Sequence, residues 1–271
     1  MDNFVNLDLG NFPIAETQVL VLNFFICSIR IGAFIISAPL FGSTSVPLQV
    51  RIITILFLAS FFYPDTAIPD FQGLSAEIFL YTILGEIIIG LTFGLVLSIV
   101  FASAAIVGEK IAATSGLSFA AQVDPNSEGQ TPVVSQFLSL FLITIFLTLN
   151  GHIVALEVVG RSYQQVPIGY GIDFEIIAKA GVTAGKDMFS QTLTIAFPIV
   201  AVLLLISITV GVITRSAPQL NLFSFGFPLT LISVFIILYL NTESLAFGMH
   251  DMIMDTLEKL KLIFGEKSSN G

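Results

Sequence analysis

Three stretches of this chain run uncharged for longer than a lipid bilayer is thick: the residues between Glu128 and Glu157, those between Asp187 and Arg215, and Ser216 to Thr242. A helix rises about 1.5 Å per residue and the hydrocarbon layer is about 30 Å deep, so roughly 20 apolar residues suffice to cross it. A fourth run, between Glu86 and Glu109, is rich in Gly, Ala and Ser, which suit a membrane helix whose neighbours pack closely. Two further candidates each carry an arginine: Thr17 to Phe41 contains Arg30, and Val46 to Tyr63 contains Arg51. The expected fold class is all-α, a polytopic membrane protein of about six hydrophobic helical segments.

Composition excludes other classes. Hydrophobic residues make up 55% of the 271 and charged residues 11%, outside ordinary soluble usage, so a water-soluble enzyme is ruled out. The net charge of -9, from 10 Lys+Arg against 19 Asp+Glu, leaves no clustered cations to neutralise phosphates, and nucleic acid is not an expected partner. Cys27 stands alone, so neither a disulfide framework nor a CxxC pair arises.

Residues 1–271 read as a single membrane domain with a polar N-terminus at 1–16 and a flexible tail at 265–271. The N-terminal section has Asp2, Asp8 and Glu16 but no Lys or Arg, so it lacks the positive region of a cleavable signal peptide, and the first helix is expected to stay. Pro39, Pro47, Pro64, Pro69, Pro125, Pro167 and Pro218 mark turns. The cations give no consistent orientation: Arg51 and Lys110 as cytoplasmic marks would place the C-terminus outside, whereas Lys259, Lys261 and Lys267 argue the reverse. Such a conflict suits hairpins packed on partner proteins better than simple alternating spans.

Within the fourth run, Glu86, Gly90, Gly94, Ser98 and Ala102 recur every four residues and lie along one slowly drifting helix stripe. Small residues at this spacing let another backbone approach, so Gly90, Gly94, Ser98 and Ala102 are the expected packing face. Glu86 is different. An ionisable group in an apolar helix costs roughly 2.5 to 3.5 kcal/mol unless it is paired or faces water, and Arg30 meets the same cost. Each should face a partner or an aqueous path, and they are candidates to pair with each other.

Gly108 to Gln130 is too polar for lipid and too apolar for an ordinary loop. Irregular backbone at membrane depth is tolerated where it is buried in protein or lines a water-filled cavity, which makes a pore-facing element one reading. A cytoplasmic loop before a helix starting at Thr131-Pro132 is the other. Asn150-Gly151-His152 interrupts the apolar run that contains it, Pro198 and Pro228 should bend theirs, and Asp251 to Phe264 reads as an amphipathic helix for an interface or a partner subunit. HExxH, Walker A and GxSxG words do not occur, so the sequence implies no catalytic residue, no metal and no cofactor. A membrane-conduit subunit is preferred over a secondary transporter, whose related halves are not evident.

The order of short words then becomes informative. Gly108-Glu109, Gly116-Leu117-Ser118-Phe119-Ala120, Val123-Asp124-Pro125, Leu147-Thr148-Leu149-Asn150-Gly151-His152, Val166-Pro167-Ile168-Gly169, Ala217-Pro218-Gln219-Leu220-Asn221 and Gly226-Phe227-Pro228-Leu229 follow one another, and from about Arg30 to Leu231 the chain resembles the FliR/SctT family of type III secretion export-gate subunits. That resemblance implies kinked helical hairpins packed into a helical gate in the bacterial inner membrane, at the flagellar basal body. It implies FliP and FliQ as assembly partners, FlhB and FlhA beyond them, unfolded flagellar proteins as export substrates and membrane lipids around the whole. It also implies a pore-facing plug over Glu109 to Asp124 with Gly116, Leu117, Ser118 and Phe119 at its centre. Thr114-Ser115 stands where many relatives have Gln-Met, and Lys110 where an apolar residue is common. Injectisome relatives share the fold and are the nearest alternative, with a secondary transporter behind them.

Overall fold

The computed structural model describes residues 14–43, 46–63, 66, 75–116, 132–169, 174–217, 219 and 225–265. Among them the chain forms eight helices: α1 Ile14–Ser37, α2 Leu48–Phe62, α3 Ala76–Thr114, α4 Val133–Thr148, α5 Gly151–Gln165, α6 Phe174–Ser216, α7 Phe227–Leu240 and α8 Thr242–Gly265. The all-α membrane class is borne out. By length and composition α1, α3 and α6 each suffice to cross a bilayer, and the bent pairs α4–α5 and α7–α8 raise the number of candidate spans to as many as five.

Helix number and length differ from the sequence reading for physical reasons. The run from Glu128 to Glu157 breaks after α4, where Asn150 adopts φ 53° and the chain turns by 66° into α5. Asn tolerates this left-handed conformation better than most residues do. A second break, at Asn241, turns α7 into α8 by 63°. Helix α3 does not end at Glu109-Lys110: those side chains reach solvent while Ile111 and Ala112 are fully buried, so the helix continues to Thr114. The irregular backbone expected from Gly108 is therefore helix as far as Thr114, and residues 117–130 of that segment lie outside the described residues. Pro228 sits in the first turn of α7 rather than bending its interior, a place where a missing N–H costs nothing. Pro198 does lie inside α6.

The chain divides into two compact units. The first comprises residues 1–94, 159–174 and 264–271, and its core gathers Ile26, Ile31, Phe34 and Ile35 of α1, Ile89 and Phe93 of α3, and Val159 and Tyr163 of α5. Helix α2 joins by Ala59 and by Phe62, whose ring lies against Gly160.

The second unit comprises residues 95–158 and 175–263. Its α3 and α4 meet backbone to backbone: a Cβ on Gly108 would stand 2.6 Å from the Ser135 nitrogen, and the Ser135 hydroxyl donates to the Ala105 carbonyl at 3.0 Å. The amphipathic segment was expected to serve an interface or a partner. Instead α8 buries Leu245, Met249, Met252, Ile253, Leu257 and Leu260 within the unit. Lys259 ties it to α6 through Asp187 at 2.6 Å, with Asp255 also 2.6 Å away.

Candidate functional site

The first unit buries a charge network. Helix α1 carries Arg30 through the middle of an apolar run, and the side chain is fully enclosed. Helix α3 brings Glu86 beside it, only 2% exposed. Arg30 Nε donates to Glu86 Oε2 at 2.7 Å and Nη2 donates to Oε1 at 2.9 Å. This is the two-toothed guanidinium–carboxylate fork, stronger than a single contact because both charges are met by fixed hydrogen bonds.

The end of α5 completes the shell. Nη1 donates to the Ser162 hydroxyl at 2.9 Å, and that hydroxyl in turn donates to the Val159 carbonyl at 2.6 Å. Nη2 also donates to the Val166 carbonyl at 2.9 Å. Val166 lies just beyond the last residue of α5, where backbone carbonyls lack helical donors, so the cation satisfies a group that the helix leaves open. The guanidinium carbon stands 4.2 Å above the centre of the Tyr163 ring, and the Tyr163 hydroxyl donates to the Cys27 carbonyl at 2.6 Å. A desolvated cation over an aromatic face gains about 2 kcal/mol. Arginine thus joins three segments that lie far apart in sequence.

The small residues explain how α3 comes so close to α1. A Cβ on Gly90 would overlap the Arg30 carbonyl and stand 2.7 Å from the Ala33 methyl; one on Gly94 would stand 2.7 Å from Ser37 Cβ. Glu86, Gly90 and Gly94 therefore face Arg30, Ala33 and Ser37 one helical turn after another. Further along the stripe Ser98 is half-buried and Ala102 is exposed.

Of the residues expected at the plug, Gly116 follows α3 with φ 76°, a conformation open to glycine at little cost. The Phe227 ring comes next to it, 3.2 Å from where a Cβ would be. Just before it, the Thr114 carbonyl accepts from the Ser207 hydroxyl at 3.3 Å. Leu117, Ser118 and Phe119 lie outside the described residues. Among the described residues no group of three or more His, Cys, Asp or Glu stands ready to hold a metal ion.

Ser162, Tyr163 and the Val166 carbonyl escaped the sequence reading. The words Val166-Pro167-Ile168-Gly169 did mark the place, and Ile168 proves to be buried beside a Gly169 at φ 84°.

These features define an all-α, multi-pass membrane protein built around an enclosed ion pair. Residues 21–256 match the family model described as bacterial export proteins, family 1. Flagellar biosynthetic protein FliR of Escherichia coli (strain K12) is 33% identical over 207 residues, 75% of this chain and 77% of that protein. FliR of Buchnera aphidicola subsp. Baizongia pistaciae is 33% identical over 232 residues, covering 84% and 88%. FliR of Bacillus subtilis (strain 168) is 28% identical over 242 residues, covering 88% and 93%. The chain belongs to the bacterial export proteins, family 1, and is a membrane component of the export machinery that serves flagellar biosynthesis.

Proposed function

We propose that this chain is a subunit of the inner-membrane export gate of the flagellar basal body, assembling with FliP and FliQ into a conduit for unfolded flagellar proteins and meeting FlhB and FlhA at its cytoplasmic side. The observation that supports assembly is the bareness of α6. At 43 residues it runs about 65 Å, twice the depth of the hydrocarbon layer, and only 22% of its most apolar window is buried. Phe189, Leu193, Phe197, Leu205 and Ile208 are all more than 60% exposed. Its uncharged stretch, residues 188–214, runs about 40 Å at about 1.5 Å per residue, longer than the hydrocarbon layer, and protein cover along part of it would account for the excess.

Within that conduit, Gly116, Leu117, Ser118 and Phe119 would form the seal, with Leu117 and Phe119 excluding water and Gly116 letting the backbone yield to a passing polypeptide. Cysteines placed at these positions should crosslink to a stalled export substrate; crosslinks elsewhere in the chain and none here would retire the assignment. Co-purification with FliP and FliQ and loss of filaments on deletion are expected. Retention of filaments with loss of effector injection would point to the injectisome instead.

A further inference from the structure

Helix α8 buries one face in the second unit and leaves the opposite face bare. Along the bare face Glu243, Phe247, Asp251, Met254, Glu258 and Leu262 follow one another every three or four residues. At about 3.6 residues and 5.4 Å per turn they form one stripe about 28 Å long. Phe247 is 63% exposed, Met254 48% and Leu262 53%. Glu243, Asp251 and Glu258 are exposed as well. Carboxylates and large apolar side chains thus alternate down the stripe.

The helix itself does little to neutralise this stripe. No Lys or Arg occurs from Ser216 through Glu258. Of the two cations of α8, Lys259 is turned to Asp187 and Asp255, 2.6 Å from each, and exposed Lys261 comes only at the far end. His250 places Nδ1 3.1 Å from Asp251 Oδ1.

Three contacts set the level of α8 along α6. Lys259 meets Asp187, Gln191 Nε2 donates to Asp255 Oδ2 at 3.2 Å, and a Cβ on Gly248 would stand 3.1 Å from Ile195 Cγ1. The two helices therefore run antiparallel. Gly248 lies about 12 Å into the uncharged stretch that follows Asp187, at about 1.5 Å per residue; Glu243 lies further in, and Asp251 between Gly248 and the level of Gln191. An ionised carboxylate is costly against hydrocarbon, while Phe247 and Met254 gain nothing from water. Neither solvent suits the alternation, and a protein surface of matching pattern does.

The occupant has to bring positive charge. A second copy of this chain brings a net charge of -9, with Arg30 enclosed in its fork and Lys259 already engaged. The segments of this chain outside the described residues hold a single cation, Lys267, next to Glu266. At this depth the occupant's backbone must also satisfy its own hydrogen bonds, as a helix does. We propose that the bare face of α8 docks a helix of a partner protein that carries Lys or Arg every third or fourth residue, with apolar side chains between them to meet Phe247, Met254 and Leu262. Opposed charges across such a contact fix partner and register. The inference does not depend on that partner being FliP or FliQ.

The full chain in its native membranes, with a benzophenone amino acid in place of Phe247 or of Met254, should crosslink from both positions to one and the same partner helix. Mass spectrometry of the captured peptide should show Lys or Arg at helical spacing. Asp251→Lys together with Glu258→Lys should cut the yield about tenfold, and Lys→Glu at the captured partner residues should restore it. Asp251→Asn with Glu258→Gln, milder changes at the same exposed sites, should lower the yield severalfold at unchanged heat stability. A captured helix from a protein outside the export gate would uphold the inference while counting against the assembly proposed above. Crosslinks to lipid, to a second copy of this chain or to a segment without Lys or Arg would overturn it, and so would no crosslink at all or full yield in the charge-reversed chain.

Discussion

Arg30 and Glu86 are costly apart and tolerable together. Two charges withdrawn from water recover their hydration only if geometry is good and the remaining donors are met, and here Nε, Nη1 and Nη2 of the guanidinium all find acceptors. Arg30→Leu leaves an unpaired buried carboxylate and should destabilise the protein by about 3 to 5 kcal/mol. Replacing both, Arg30→Met with Glu86→Leu, removes the charges together and should recover most of that loss. What remains is the Val166 carbonyl without its donor, a cost of about 1 to 3 kcal/mol. Thermal unfolding in detergent separates the cases, and a double variant as weak as Arg30→Leu would show that the pair is not the unit of stability. Both charges were legible in the sequence because an ionisable residue in an apolar helix demands an explanation. Ser162 and Tyr163 were not, since serine and tyrosine in an amphipathic helix are ordinary, and a main-chain carbonyl such as that of Val166 leaves no trace in the residue code.

At the scale of elements, apolar runs announce helices but poorly announce where they stop. The run holding α4 counts as one segment in the sequence, with Asn150-Gly151-His152 as a polar interruption, and in the structure that interruption is a full break into a second helix, at an Asn-Gly turn signal. The break at Asn241 has no glycine or proline, yet it falls beside Thr242, where the sequence reading closes the apolar run because Glu243 follows. Helix α3 was cut short at Glu109-Lys110, since charges look like ends on a membrane helix, whereas exposed charges on one face let the opposite face stay buried. The glycine stripe, by contrast, translates directly into contact. Gly94→Ala brings a methyl to 2.7 Å from Ser37 Cβ and 2.9 Å from the Ala38 nitrogen, both backbone-near atoms that do not swing aside. Alanine is otherwise the better helix former by about 1 kcal/mol. Overpacking costs about 1 to 3 kcal/mol, so a net loss of stability is expected here, whereas Gly211→Ala, with nothing within 4 Å of its Cβ, should be neutral or slightly stabilising. Limited proteolysis of the two variants in parallel is the check, and equal resistance would sink the contact.

For the whole molecule the decisive contrast is between glycines that meet something and glycines that do not. Gly90 and Gly94 are spent inside the chain, on α1, and Gly108 on α4. Gly181, Gly185 and Gly211 of α6 meet nothing within 4 Å, on a helix whose large side chains are mostly bare. Lipid gives no reason for a helix to keep small residues, while a neighbouring helix does, because close backbone approach is what holds helices together where no hydrophobic force acts. If α6 is covered by other subunits of the gate, a bulky residue there should spare the chain and spoil the complex. Gly211→Leu is therefore expected to leave the purified chain as heat-stable and protease-resistant as the parent, yet to cut its co-purification with FliP and FliQ at least severalfold. Gly94→Leu should do the reverse in order of events, unfolding the chain first and losing partners as a consequence. Normal recovery of FliP and FliQ with Gly211→Leu, Gly185→Leu and Gly181→Leu alike would mean that α6 faces lipid along its length, and the large exposed surface of this helix would then need another explanation than assembly.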